Sequence, residues 1–184
     1  MQKSKGFVGA VVALVTLAMV ACASTRTQKS PGEQVDDSVT TGRVKAALIA
    51  DPVTKAHQID VETFKGTVQL NGFVDTSASK ERAAEVARGT KGVTKVQNNL
   101  AVKDDANPRT ASEVVDDAAI TVKVKAALAG DPRTKAHQVN VETREGVVQL
   151  SGFVNNSEAK STAEELARAV DNVKSVDNEL SVKK

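Results

Sequence analysis

DPVTKAHQIDVET, residues 51–63, recurs as DPRTKAHQVNVET, residues 131–143. The chain has two histidines, His57 and His137, and each copy holds one. The left half of the stretch stops a helix. Proline has no N–H to donate, and its ring biases the preceding residue, Asp51 or Asp131, away from helical geometry. The right half alternates as a strand does: Ile59, Val61 and Thr63 fall on one side, Asp60 and Glu62 on the other. The stretch is therefore a helix-to-strand joint, and the chain builds it twice.

The repeat extends outward in both directions. VKAAL at 44–48 returns at 124–128, VQL at 68–70 returns at 148–150, and GFV at 72–74 returns at 152–154. A shift of about 80 residues aligns the chain with itself without a gap, and roughly half of residues 36–103 match 116–183. Two units of about 70 residues are each near the size that folds alone.

One pattern serves both units. Asp36-Asp37 and Asp116-Asp117 read as a helix start, where carboxylates favour the positive end of the helix dipole. Ile120, Val124, Ala127 and Leu128 then share one helical face. After the joint, Lys65-Gly66 and Glu145-Gly146 make a tight turn, with Val68 and Leu70 on the second arm of a hairpin. Gly72 and Gly152 within that arm imply a bulge or a close helix crossing. A second helix follows, with Ala83, Val86 and Ala87, or Ala163, Leu166, Ala167 and Val170, as its apolar stripe. Gly92 in one copy is Asn172 in the other, the two residue types that best tolerate left-handed backbone. Val96, Leu100 and Val102, with Val176, Leu180 and Val182, alternate as a third strand. The expected fold is α+β: two tandem α-β-β-α-β units, each a three-stranded mixed sheet with two helices packed on one face.

The N-terminus is different in kind. Lys3 and Lys5 precede an apolar run, FVGAVVALVTLAMVA, and then Cys22. A basic start, a short apolar middle and small residues at the end make a secretory signal. The run is about 15 residues, short of the roughly 20 that span a bilayer. Cys22 is the single cysteine, so no internal disulfide forms. Met19-Val20-Ala21-Cys22 resembles the bacterial lipoprotein cleavage box, with Met where Leu is usual. That resemblance implies a lipid on Cys22. Ala23, rather than Asp, after the cysteine implies carriage to the outer membrane, with the protein facing the periplasm. The expected division is a signal peptide at 1–21, a lipidated cysteine and flexible tether at 22–35, a first domain at 36–103, a linker at 104–112 and a second domain at 113–184.

Charge and composition exclude some functions. The chain carries a net +2, and Lys3 and Lys5 leave with the signal, so the mature protein is balanced. With four Phe and no Trp or Tyr, it lacks the stacking aromatics of nucleic-acid readers. No nucleic-acid partner is expected. His57 and His137 are the obvious candidate bases, but Asp60 in the first unit is Asn140 in the second, so no acid–base pair is duplicated. One histidine per unit, with no cysteine or second histidine beside it, makes no metal site. Neither catalysis nor a cofactor is expected.

The pattern Asp116-Asp117-x-x-Ile120-Thr121-x-x-Val124-Lys125-x-x-Leu128, then Val148-x-Leu150-x-Gly152-x-Val154, then Ala163-x-x-x-Ala167-x-x-Val170-x-x-Val173-x-x-Val176-x-Asn178-x-Leu180, resembles the BON domain. The first copy follows it with Thr40 for Ile120 and Gly42 for Val122. The resemblance covers nearly the whole mature chain and extends to dual-BON envelope lipoproteins. It implies a non-enzymatic protein that binds phospholipid membranes and supports outer-membrane integrity or osmotic-stress tolerance. The competing reading is a tethered module that binds another periplasmic or outer-membrane protein. Candidate membrane-facing residues, suited to anionic headgroups, are Arg43, Lys45, Lys123 and Lys125 on the first helices, and Arg82, Arg88, Lys91 and Lys95 at the second helix of the first unit and its exit. Sequence alone fixes neither the oligomeric state nor the relative orientation of the units.

Overall fold

A computed structural model of the chain describes residues 31–54, 59–103, 110–134 and 138–184. The first unit runs α1 (Pro31–Ala50), β1 (Ile59–Phe64), β2 (Thr67–Val74), α2 (Ser77–Arg88), β3 (Lys95–Asn98) and β4 (Ala101–Val102). The second runs α3 (Ala111–Gly130), β5 (Asn140–Arg144), β6 (Val147–Val154), α4 (Ser157–Arg168) and β7 (Ser175–Val182). Each unit has the expected α-β-β-α-β order. The third strand is continuous in the second unit and broken into β3 and β4 in the first.

Both sheets are mixed. β1 pairs antiparallel with β2, and β2 pairs parallel with β3 and β4. β5–β6 is antiparallel and β6–β7 parallel. The parallel partner is reached through a helix, which covers the sheet face where Val68 and Leu70, or Val148 and Leu150, lie. Val44, Leu48, Val61, Ala83, Ala87 and Leu100 close the first core. Val124, Leu128, Val141, Ala163, Ala167 and Leu180 close the second. Each unit thus buries its own apolar set.

The repeated joint stops each helix at Asp-Pro. The Thr134 hydroxyl donates to the Leu128 carbonyl at 2.6 Å, taking up one of the acceptors a helix end leaves bare, and Thr54 does the same for Leu48. The two copies hold the aspartate differently. Arg82 on α2 donates to Asp51 at 2.7 Å, whereas Arg133, two residues along the chain, grips Asp131 and draws the pKa of its carboxyl down to about 2.

The first helices begin earlier than the paired aspartates. α3 starts at Ala111, capped by Thr110, whose hydroxyl accepts the Glu113 amide while Glu113 reaches back to the Thr110 N–H. Asp117 lies a full turn inside this helix and is buried, as is Asp37 in α1. Each carboxylate accepts both turn amides of its hairpin: Lys65 and Gly66 at 2.7 and 2.9 Å, or Glu145 and Gly146 at 2.8 and 2.9 Å. Both turn residues have positive φ in each unit, as a two-residue hairpin of matching twist needs. The second aspartate of each pair is therefore a tie from helix to hairpin, and the helix start lies elsewhere.

Candidate functional site

Two surfaces of each unit remain once the cores are filled: the free face of the sheet and the outer face of the first helix.

The sheet faces meet each other. Alternation puts Gln69, Asn71 and Phe73 on the side of β2 away from the helices, with Gln149, Ser151 and Phe153 as counterparts on β6. Gln69 is 0 % exposed and Gln149 3 %. Each glutamine carbonyl accepts a backbone N–H from the other unit: Gly152 to Gln69 at 3.0 Å, and Gly72 to Gln149 at 2.7 Å. Their amides complete the exchange, Gln149 donating to the Asn99 carbonyl at 2.8 Å and Gln69 to the Ser181 hydroxyl at 2.8 Å. Phe64 stacks on Phe153, with centroids 5.4 Å apart. The order across the molecule is thus helices, sheet, sheet, helices, and the seam is polar at its centre. Gly72 and Gly152 serve this seam and the neighbouring strand, not a helix crossing. A Cβ at Gly152 would lie 2.3 Å from the Gln138 carbonyl oxygen.

The outer helix faces are left to solvent. On α3, Ile120, Val124 and Leu128 face the core. The opposite side carries Val115, Ala118, Ala119, Val122, Ala126 and Ala129, spaced to form one stripe. Val115 and Val122 are each 67 % exposed. On α1 the same positions hold Val35, Ser38, Val39, Gly42, Ala46 and Ile49, with Val35 and Ile49 63 % and 74 % exposed. Each of these helices is apolar on two opposite faces, which a helix of a soluble unit does not need.

The candidate cations fall into two sets. Lys123 and Lys125 are exposed and flank the α3 stripe on either side; Arg43 and Lys45 flank that of α1. Lys45 also lies 3.7 Å from Asp60. Arg82 and Arg88 on α2 and Lys95 on β3 are not on the stripe-bearing helices, whereas Lys91 shares a hollow with Val39 of the α1 stripe. Arg82 is held by Asp51 and by Glu85. Arg43 and Lys91 border a hollow of about 610 Å³ that Glu33 and Asp36 also line, so its charges are mixed. Arg88 and Lys95 border another of about 290 Å³ with Val93 and Val96. Cys22, His57 and His137 lie outside the described residues. The stripes escape a reading of the sequence because the core-facing positions already account for each helix; the outward Val-x-x-x-Ala-x-x-Val of residues 115–122 was the available signal.

Among the described residues no cluster of His, Cys, Asp or Glu suits a metal, and no helix is long and apolar enough to cross a membrane. The BON domain family matches residues 36–104 and again 116–184. The chain belongs to the BON-domain family. It is 43 % identical over 152 residues to osmotically-inducible protein Y of Escherichia coli, covering 83 % of this chain and 75 % of that one. It is 31 % identical over 170 residues to the outer membrane lipoprotein DolP of Haemophilus influenzae, covering 91 % and 86 %. A 21 kDa hemolysin of Actinobacillus pleuropneumoniae is 33 % identical over 149 residues, 80 % of this chain and 75 % of the relative. Family membership makes this BON protein a non-enzymatic protein of the cell envelope.

Proposed function

We propose that this BON protein binds phospholipid membranes through the outward face of α3, while a lipid on Cys22 holds it at the outer membrane, facing the periplasm. The observation that supports this most is the exposed apolar stripe of α3 between Lys123 and Lys125. An apolar face bordered by lysines suits the boundary between headgroups and acyl chains. The stripe of α1 is weaker, because Ser38 and Gly42 interrupt it. The two helix layers lie on opposite sides of the paired sheets, so one flat bilayer meets one of them at a time.

The anchor adds to this. A signal at 1–21, removal before Cys22 and a tether that ends where α1 begins at Pro31 keep both units close to headgroups, where contacts too weak for free protein suffice. Support of outer-membrane integrity or tolerance of osmotic stress follows from the relatives' names, an outer membrane lipoprotein and an osmotically-inducible protein.

Flotation of residues 23–184 with phosphatidylcholine vesicles, with and without phosphatidylglycerol, tests the reading. Binding is expected to rise with the anionic lipid, fall with salt and be lost in Val115→Ser/Val122→Ser. No binding at any composition overturns it and leaves α3 as a docking face for an envelope protein. Labelling with radioactive palmitate tests the anchor: Cys22→Ala is expected to carry none.

A further inference from the structure

The centre of the seam is built from residues shared by both units, Gln69 with Gln149 and Gly72 with Gly152. Glutamine and glycine at the same positions would pair as well between two like units as between unlike ones. The centre therefore holds the faces together without saying which faces belong together. That information has to come from the rim, where the copies differ.

One difference sits at the middle of the joint that repeats most closely. Asp60 in β1 corresponds to Asn140 in β5. Asn140 Nδ2 crosses the seam and donates to Asp60 Oδ2 at 2.7 Å and to Glu62 Oε1 at 3.1 Å. Glu142, two residues along β5, feels the charge of Asp60 from the other unit. This rim thus gathers three carboxylates, Asp60, Glu62 and Glu142. Among the described residues, Lys45 of α1 lies 3.7 Å from Asp60, and Lys125 of α3 acts on Glu142. Asn140 is the neutral side chain that crosses between them, and its two N–H groups are both spent on carboxylates of the first unit.

We propose that Asn140 decides which units pair: a first-unit sheet face accepts a second-unit face and rejects another first-unit face. Two first-unit faces would set Asp60 against Asp60 and Glu62, with no amide to bridge them. Like charges meeting in a partly desolvated seam oppose pairing, while a charge-assisted N–H bond supports it. The other rim contacts are also unlike: Phe64 stacks on Phe153 where the second unit has Arg144 in place of Phe64, and Gln97 meets Ser181 where the copies have Asp177 and Ala101.

The test is a swap within residues 23–184. Asn140→Asp restores the first-unit residue at the second position and is expected to open the seam at pH 7. The amides of Gly72 and Gly152, which donate across it, should then exchange with solvent roughly tenfold faster or more, while the strand amides of Leu70 and Leu150 keep their protection. Adding Asp60→Asn moves the amide to the other side, where the symmetry of the seam sets it against Glu142 and the new carboxylate at position 140. That double variant is expected to return both glycine amides close to wild-type rates. Asn140→Ala removes the bonds without adding charge and should fall between the wild type and Asn140→Asp. Unchanged glycine exchange in Asn140→Asp, or a double variant no better than the single one, overturns the proposal. If Asn140→Asp disrupts the second unit itself, seen as lost protection of Leu150, the double variant still decides: recovery supports a pairing rule, and persistent loss refutes it.

Discussion

Asp117 lies on α3 and Gly146 on a hairpin turn, yet the carboxylate of one accepts the N–H of the other at 2.9 Å. The same carboxylate accepts the Glu145 N–H, and Asp37 repeats the arrangement with Lys65 and Gly66. The first helix of each unit is fixed to its sheet by this tie as well as by apolar packing. Asp117→Ala leaves two amides without their charged acceptor. We expect a loss of about 3 kcal/mol or more in urea unfolding, since a hydrogen bond to a charged group contributes about 1.5–3 kcal/mol. Asp117→Asn keeps one acceptor oxygen and should lose less.

Two glycines separate backbone need from backbone tolerance. Gly152 has φ of 121° and no room for a Cβ, so Gly152→Ala is expected to cost about 2 kcal/mol or more. Gly42 sits inside α1 with nothing within 4 Å of its absent Cβ. There Ala should stabilise by about 0.5–1 kcal/mol, the usual helical difference between the two residues. Thermal unfolding of the pair shows opposite signs if the two positions are read correctly.

The units were legible in the sequence because each is built from local signals. Asp-Pro stops a helix, alternation marks Ile59 to Thr63, and Lys65-Gly66 or Glu145-Gly146 turns the chain. The left-handed residues at Gly92 and Asn172 are found at φ of 99° and 69°, in the turn just beyond each second helix. The seam was not legible, because polar Gln69 and Asn71 alternating with Val68 and Leu70 are equally what the solvent side of a strand carries. Only the presence of a second, similar face turns that polar side inward. Asp37 and Asp117 were misread for a related reason: a carboxylate near a helix start has a sufficient local explanation, and the hairpin it holds is 28 residues away. The Asp60-to-Asn140 difference was visible, but its meaning depends on the two positions facing one another.

Glu142 gives the seam a dependence on pH. Burial, then the charge of Asp60, raises its carboxyl above the usual glutamate value of 4.5. A carboxyl with a raised folded pKa binds more protons in the native state, so its unfavourable contribution is absent below the unfolded value and develops as pH rises through the folded one. Glu142→Gln is therefore expected to raise the unfolding temperature at pH 7. The gain should shrink as pH falls through the glutamate range and vanish near pH 4, where the wild-type side chain is protonated. A gain that is constant from pH 7 to pH 4 would place the cause outside this ionisation.

The α3 stripe and the lysines beside it should leave different marks on membrane binding. Lysine attraction to an anionic surface is worth about 1 kcal/mol each and fades within a Debye length. Lys123→Ala/Lys125→Ala is thus expected to weaken binding about 30-fold at low salt and progressively less as salt rises. Valine burial does not screen. Val115→Ser/Val122→Ser should weaken binding by a similar or larger factor at every salt concentration, since each valine carries about 1.5 kcal/mol or more on full burial. Vesicle co-sedimentation across a salt series distinguishes the two. Parallel curves for the wild type and the lysine variant would mean that headgroup charge is read elsewhere, with Arg43 and Lys45 beside the α1 stripe the next pair to change.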